Sequence, residues 1–200
     1  MKLSITPLII CLTFSLVTAK AQTKLVGECA LQYVILQEQD TIGSKRVLIK
    51  GDQCKTVLTT KQLTQTLYFS KQDSLATITK EMGNTKFLQQ VKFPPITSST
   101  IISINESNNS DSLNILGYWC KGLQVMMSDS SYYQLWYTPQ IATTVNSFES
   151  IFENIPGLVL SYTIFPFKGR SIQYMAYSID LSPIALSQFY INKENFQLID

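Results

Sequence analysis

Apolar and polar positions alternate with a period of two along most of this chain, and glycine, asparagine, aspartate and proline mark the breaks between runs. Residues 28–37 (ECALQYVILQ) put Cys29, Leu31, Tyr33 and Ile35 on one face of a strand and Ala30, Gln32, Val34 and Leu36 on the other. Residues 45–50 (KRVLIK) and 53–60 (QCKTVLTT) predict two more strands about a tight turn at Gly51-Asp52. Runs at 65–70 and 75–80 flank Lys71-Gln72-Asp73-Ser74, and a run at 85–91 follows a turn at Gly83-Asn84. Pro94-Pro95 then interrupts the ladder, because proline has no N–H to donate and restricts the residue before it. Ser, Thr and Asn dominate 97–112, which reads as a loop with one strand at 101–104. A domain boundary there would leave neither half with a convincing core.

The second half continues in strands at 113–127, 132–138, 157–165 and 171–181, the last two joined by a turn at Lys168-Gly169-Arg170. Helical spacing occurs at 146–153, with Phe148, Ile151 and Phe152 on one side and Asn146 or Ser147 as cap. A second short helix is expected at 183–190, where Pro183 occupies a permitted first-turn position ahead of Ile184, Leu186 and Phe189. The fold class is mainly β, at the margin of α+β: a curved antiparallel sheet or incomplete barrel with one or two short helices. The run 113–127 is apolar on both faces. One carries Leu113, Ile115, Trp119, Leu123, Val125 and Met127, and the other Leu116, Tyr118, Cys120 and Met126. An antiparallel sheet normally keeps one face wet, so a core, a lid or a ligand is expected against the second. A plain sandwich or closed barrel is the alternative.

The N-terminus changes the picture of where the chain works. Met1-Lys2, the apolar run 6–17 and Ala19-Lys20-Ala21 together read as a cleavable signal peptide, 1–21, ahead of a single β domain, 22–200. An apolar run this short falls below the ~20 residues a membrane-spanning helix needs; acylation at Cys11 is the rival reading. No later transmembrane segment is expected, so the mature chain is placed in the periplasm or outside the cell. Removing Lys2 and Lys20 takes the sixteen basic side chains to fourteen, against fourteen acidic ones. A neutral chain with no basic run does not suit nucleic acid.

Histidine is absent, which removes the Ser-His-Asp and Cys-His nucleophile pairs and most transition-metal shells. No cofactor or metal is expected. Glu149 and Glu153 stand one helical turn apart but read as a solvated face rather than an acid/base pair. Glu106, Asp111 and Asp129 match no calcium-loop spacing. Asn105-Glu106-Ser107 and Asn108-Asn109-Ser110 are glycosylation sequons, with meaning only in a eukaryotic host. The mature cysteines Cys29, Cys54 and Cys120 allow at most one internal disulfide. Cys54 with Cys120 is the preferred pair, and three thiols packed as small apolar groups the alternative.

Three motifs in order, Gly117-Tyr118-Trp119-Cys120-Lys121, Leu135-Trp136-Tyr137-Thr138 and Asn154-Ile155-Pro156-Gly157-Leu158-Val159, resemble the GLPGLI and DUF4412-like secreted proteins of Bacteroidetes. Asn154-Ile155 stands where that family has Gly-Leu, Val159 replaces its final isoleucine, and Gly122-Leu123 follows Cys-Lys where it has Lys-Ala. The resemblance implies a fold akin to the LolA/LppX periplasmic carriers, whose concave apolar face accepts acyl chains. On that basis Tyr118, Trp119, Trp136, Tyr137 and Tyr162 are candidates to line a cavity, although aromatics in strands are more often core. Two functions follow as expectations: an exported, non-enzymatic binding protein for a lipid or lipidated ligand, or a structural or interaction protein of the cell envelope.

Overall fold

The computed structural model describes residues 23–93, 99–107, 112–146 and 148–199. The expected leader at 1–21, Pro94-Pro95, Asn108-Asn109-Ser110, Asp111 and Ser147 lie outside the described residues. The described residues are mainly in strands: β1 (Lys24–Val26), β2 (Glu28–Gln37), β3 (Asp40–Lys50), β4 (Gln53–Thr60), β5 (Thr64–Ser70), β6 (Leu75–Met82), β7 (Thr85–Lys92) and β8 (Ile101–Glu106). They continue with β9 (Leu113–Ile115), β10 (Tyr118–Met127), β11 (Tyr132–Thr138), β12 (Ile141–Thr143), β13 (Leu158–Phe165), β14 (Ile172–Asp180) and β15 (Gln197–Ile199). The expected helices appear as single 3-10 turns at Ser150–Phe152 and Leu186–Phe189.

One sheet holds thirteen of these strands, in the order β15-β7-β6-β5-β4-β3-β2-β14-β13-β11-β10-β8, with β9 on β10. It consists of two antiparallel meanders that meet where β14 lies beside β2. The sheet is mixed, because β15 runs parallel to β7 at one edge, and it is open rather than closed into a barrel. A small parallel pair, β1 with β12, stands apart from it. Side chains from β2 to β4 (Leu31, Val47, Cys54) and from β10 to β13 (Val125, Leu135, Leu160) belong to one buried cluster. Strands so far apart in the order share a core only because the sheet curls, as the right-handed twist of long sheets favours. The face carrying that cluster is called inner below.

The expected strand 113–127 is two strands. Leu116 (φ 53°) and Gly117 (φ 84°) both adopt positive φ, the signature of a tight hairpin turn, and fold β9 back onto β10. β10 then changes partner, from β9 at Trp119 and Cys120 to β8 from Leu123 onward. Burial changes parity at the same place: Cys120 is buried, then Leu123, Val125 and Met127. Trp119, expected on the face of Leu123 and Val125, is therefore 57% exposed. The two-faced apolar pattern is a record of this switch.

Cover for the outer face comes from the C-terminal segment 181–196. Its Ile184 and Phe189 pack on Ala30 of β2 and Leu48 of β3, with Tyr68 at the margin. Lys55 Nζ donates to the carbonyls of Gln188 (2.8 Å) and Tyr190 (3.2 Å), and Ile184 N–H donates to Glu28 Oε2 (2.5 Å). This segment is a strap tied down by polar contacts at several points.

Candidate functional site

The alternation of β3 puts Lys45 on the face of Val47 and Ile49, pointing into the core, and Lys45 is only 3% exposed. A buried ammonium has to be compensated, and the surroundings do so. Its Nζ is paired with Glu149 Oε1 and donates to Tyr162 Oη at 3.0 Å. The rings of Phe148, Tyr162 and Tyr174 each lie 5.5 Å from it, within cation–π range. Tyr33, the cross-strand neighbour of Lys45, donates its hydroxyl to the Val159 carbonyl at 2.7 Å. Tyr162 stacks on Tyr174 at 4.4 Å and meets Phe152 edge-on at 5.1 Å.

Glu149 and Phe148 come from the segment 144–157, which crosses the inner face. Val145, Phe148, Ile151, Phe152 and Ile155 are all buried in the main cluster. Thr144 Oγ1 donates to the Gly51 carbonyl (2.5 Å), and Lys71 Nζ donates to the Thr144 carbonyl. Among the described residues one 3-10 turn, Ser150–Phe152, forms where a helix of at most two turns was expected at 146–153. Glu149, at its N-cap, is extended (φ −126°, ψ 131°) and makes no cap hydrogen bond, because its carboxylate is engaged by Lys45. At the far end Gly157 passes so close to Thr138 that a Cβ would overlap the Thr138 carbonyl oxygen.

The inner face holds a pocket of about 180 Å³ lined by Lys45, Thr56, Leu58, Gln65, Glu149 and Tyr174, among others. Thr56 Oγ1 is buried there with no hydrogen bond of ordinary geometry, although it lies close enough to Cys54 to favour the thiolate. Burial, followed by the Cys29 and Glu149 charges, holds the Tyr33 phenol well above its usual range. Burial and then Glu149 do the same for Tyr162, and push Tyr174 up to about 12. These phenols are neutral hydrogen-bonding groups rather than bases. The ammonium that lines this pocket is already matched by the Glu149 carboxylate beside it.

No protein-family profile and no curated protein matches the chain.

The five aromatic candidates do not line one cavity. Tyr162 is buried in the Lys45 cluster, and Tyr137 is buried elsewhere on the inner face. Tyr118 and Trp136 are half-buried, and Trp136 lies over the cross-strand Gly122, where an added Cβ would be 3.4 Å from its ring. Trp119 is exposed. Sequence reasoning missed Lys45, Glu149, Tyr33 and Tyr174 as a group. The signal was a lysine at an apolar parity position of β3.

The expected Cys54–Cys120 bridge is not formed: Cys29, Cys54 and Cys120 are buried free thiols. Cys120 stands on β10, six places from β4 in the strand order, and its thiol faces the Tyr118 carbonyl at 3.5 Å. Cys29 and Cys54 flank Ile49 on successive strands, about 9.5 Å apart by strand spacing and beyond disulfide reach. Burial pushes the Cys29 and Cys54 thiols up to about 12 and Cys120 to about 11. Among the described residues no three His, Cys, Asp or Glu side chains converge to hold a metal, and no helix is long and apolar enough to cross a membrane.

Proposed function

We propose that this is an exported, non-enzymatic interaction protein of the cell envelope that holds a protein partner at the β8–β10 edge of its sheet. The observation that carries this reading is the filled inner face. Phe148, Ile151, Phe152 and Ile155 occupy the space where an acyl chain would lie, and the pocket of about 180 Å³ there is below the ~300 Å³ at which ligand pockets begin. Meanwhile Ile102, Ile104, Leu113, Trp119 and Met126 are exposed on β8, β9 and β10, and Leu116 in the β9–β10 turn. An edge strand with apolar neighbours invites strand addition or docking by a partner. The signal-like N-terminus and the resemblance to GLPGLI-type secreted proteins support export.

The second reading is a carrier for a lipid or lipidated ligand on a LolA-like inner face. It requires the 144–157 segment to leave the sheet. The buried Lys45 ammonium favours it, because it would be left without Glu149 and open to an acidic headgroup once that segment moved away.

Mass spectrometry on an organic extract of the mature protein, purified from its own host without detergent, separates the two. The interaction reading expects no stoichiometric lipid, together with a cross-linked protein partner that Ile104→Lys and Trp119→Lys abolish. A lipid recovered at one per chain would instead establish the carrier.

A further inference from the structure

We propose that the outer face carries a separate small-molecule site beneath the C-terminal strap, built for a planar aromatic acid that bears an N–H donor. The pocket has a volume of about 370 Å³ and is lined by Gln53, Tyr68, Leu186, Phe189, Tyr190 and Lys193, among others, within the ~300–1,000 Å³ range of small-ligand sites. Its floor is the outer face of β4 and β5, and its wall is the strap. Three features define the ligand. The Tyr68, Phe189 and Tyr190 rings with Leu186 supply apolar and aromatic walls, suited to a flat ring. Gln53 Oε1 is buried with no hydrogen-bond partner. A buried acceptor left unpaired is costly; the atom is closed to solvent where it stands, so the Gln53 amide has to turn toward the pocket to accept from a ligand N–H. Lys193 is the single charged side chain among the lining residues, so the complementary ligand is an anion. Lys55 holds the strap through the Gln188 and Tyr190 carbonyls, which keeps this wall in place without a ligand.

This site is independent of the edge and inner-face readings: it lies on the outer face over β4 and β5 and uses none of their residues. Indole-3-acetate is the probe, titrated into the full mature chain by calorimetry. Saturable one-to-one binding is expected. Gln53→Leu should weaken it about tenfold, the range of one hydrogen bond, and 1-methylindole-3-acetate should bind the wild type as weakly as indole-3-acetate binds Gln53→Leu. Lys193→Gln should abolish the preference for indole-3-acetate over the uncharged indole-3-acetamide. Gln53→Leu should also raise the melting temperature of the unliganded protein, since it removes an unpaired acceptor, which shows that weaker binding is not misfolding. Absence of saturable binding, indole-3-acetate binding by either variant as tight as by the wild type, or equal binding of the N-methyl probe and indole-3-acetate by the wild type would each overturn the proposal.

Discussion

Lys45 and Glu149 form a pair whose members sit in different solvents. The lysine side chain is 4% exposed and the glutamate 40%, so losing the two partners should not have equal effects. Lys45→Met replaces the stem with an apolar one of similar size and releases Glu149 to water; it should cost about 1 kcal/mol or less. Glu149→Leu leaves the ammonium in the core with Tyr162 as its remaining hydrogen-bond partner, and should cost about 2–3 kcal/mol. Urea unfolding of both variants checks the order, and a larger loss for Lys45→Met would sink the account of the pair. Gly157→Ala drives a methyl into the Thr138 carbonyl, in a backbone that cannot move without breaking the β11–β13 ladder. About 3 kcal/mol of destabilisation is expected, read as a shift of the urea midpoint. At this scale the sequence was silent on the Lys45 partnership, because no local pattern relates residues 45, 149, 162 and 174.

The strap is the element with the clearest pH response. Glu28 accepts from Lys50 Nζ at 2.6 Å and from the Ile184 N–H, and in that order these hold its carboxyl below the usual 4.5. A depressed carboxyl stabilises the folded form fully above its unfolded value and stops doing so as pH falls through the lowered folded value. Strap attachment should therefore be constant near neutrality and weaken only as pH falls below the usual carboxyl value of 4.5. Hydrogen exchange at Ile184 checks this: protection unchanged down to about pH 3 would mean that apolar packing of Ile184 and Phe189 alone holds the strap. The segment 144–157 gave a different lesson. Its apolar spacing reads as helical, yet inward anchoring of Phe148, Ile151 and Phe152 and the pull of Lys45 on Glu149 left one 3-10 turn. Tertiary contacts outweighed a weak local preference.

For the whole molecule, the three thiols report on the core. Buried and raised far above the usual thiol range, Cys29, Cys54 and Cys120 should resist iodoacetamide at pH 8 in the native protein. All three should react once the unreduced mature chain is unfolded, and fewer than three would restore a disulfide. The same shifts predict alkaline weakening. The folded state keeps protons that the unfolded chain releases, so stability is intact below the unfolded thiol value of 9.0 and declines as pH rises toward about 12. A urea midpoint constant between pH 8 and 11 would contradict that burial.

The sequence by itself determined the strands. Period-two alternation located β2, β4 and β11 to the residue, and turn chemistry at Gly51-Asp52 and Gly83-Asn84 located the β3–β4 and β6–β7 hairpins, because pleat and turn are local properties of the backbone. It did not determine β1, β12 and β15, whose three-residue ladders are too short to carry a pattern. Nor did it locate the switch in β10 that sends Trp119 outward, which depends on which strand lies alongside. Only the curl of the open sheet brought β3, β13, β14 and the 144–157 segment together, enclosing a lysine among aromatics and filling the inner face. That outcome rests on contacts between residues more than a hundred positions apart, where alternation says which face a side chain takes but not what it meets there.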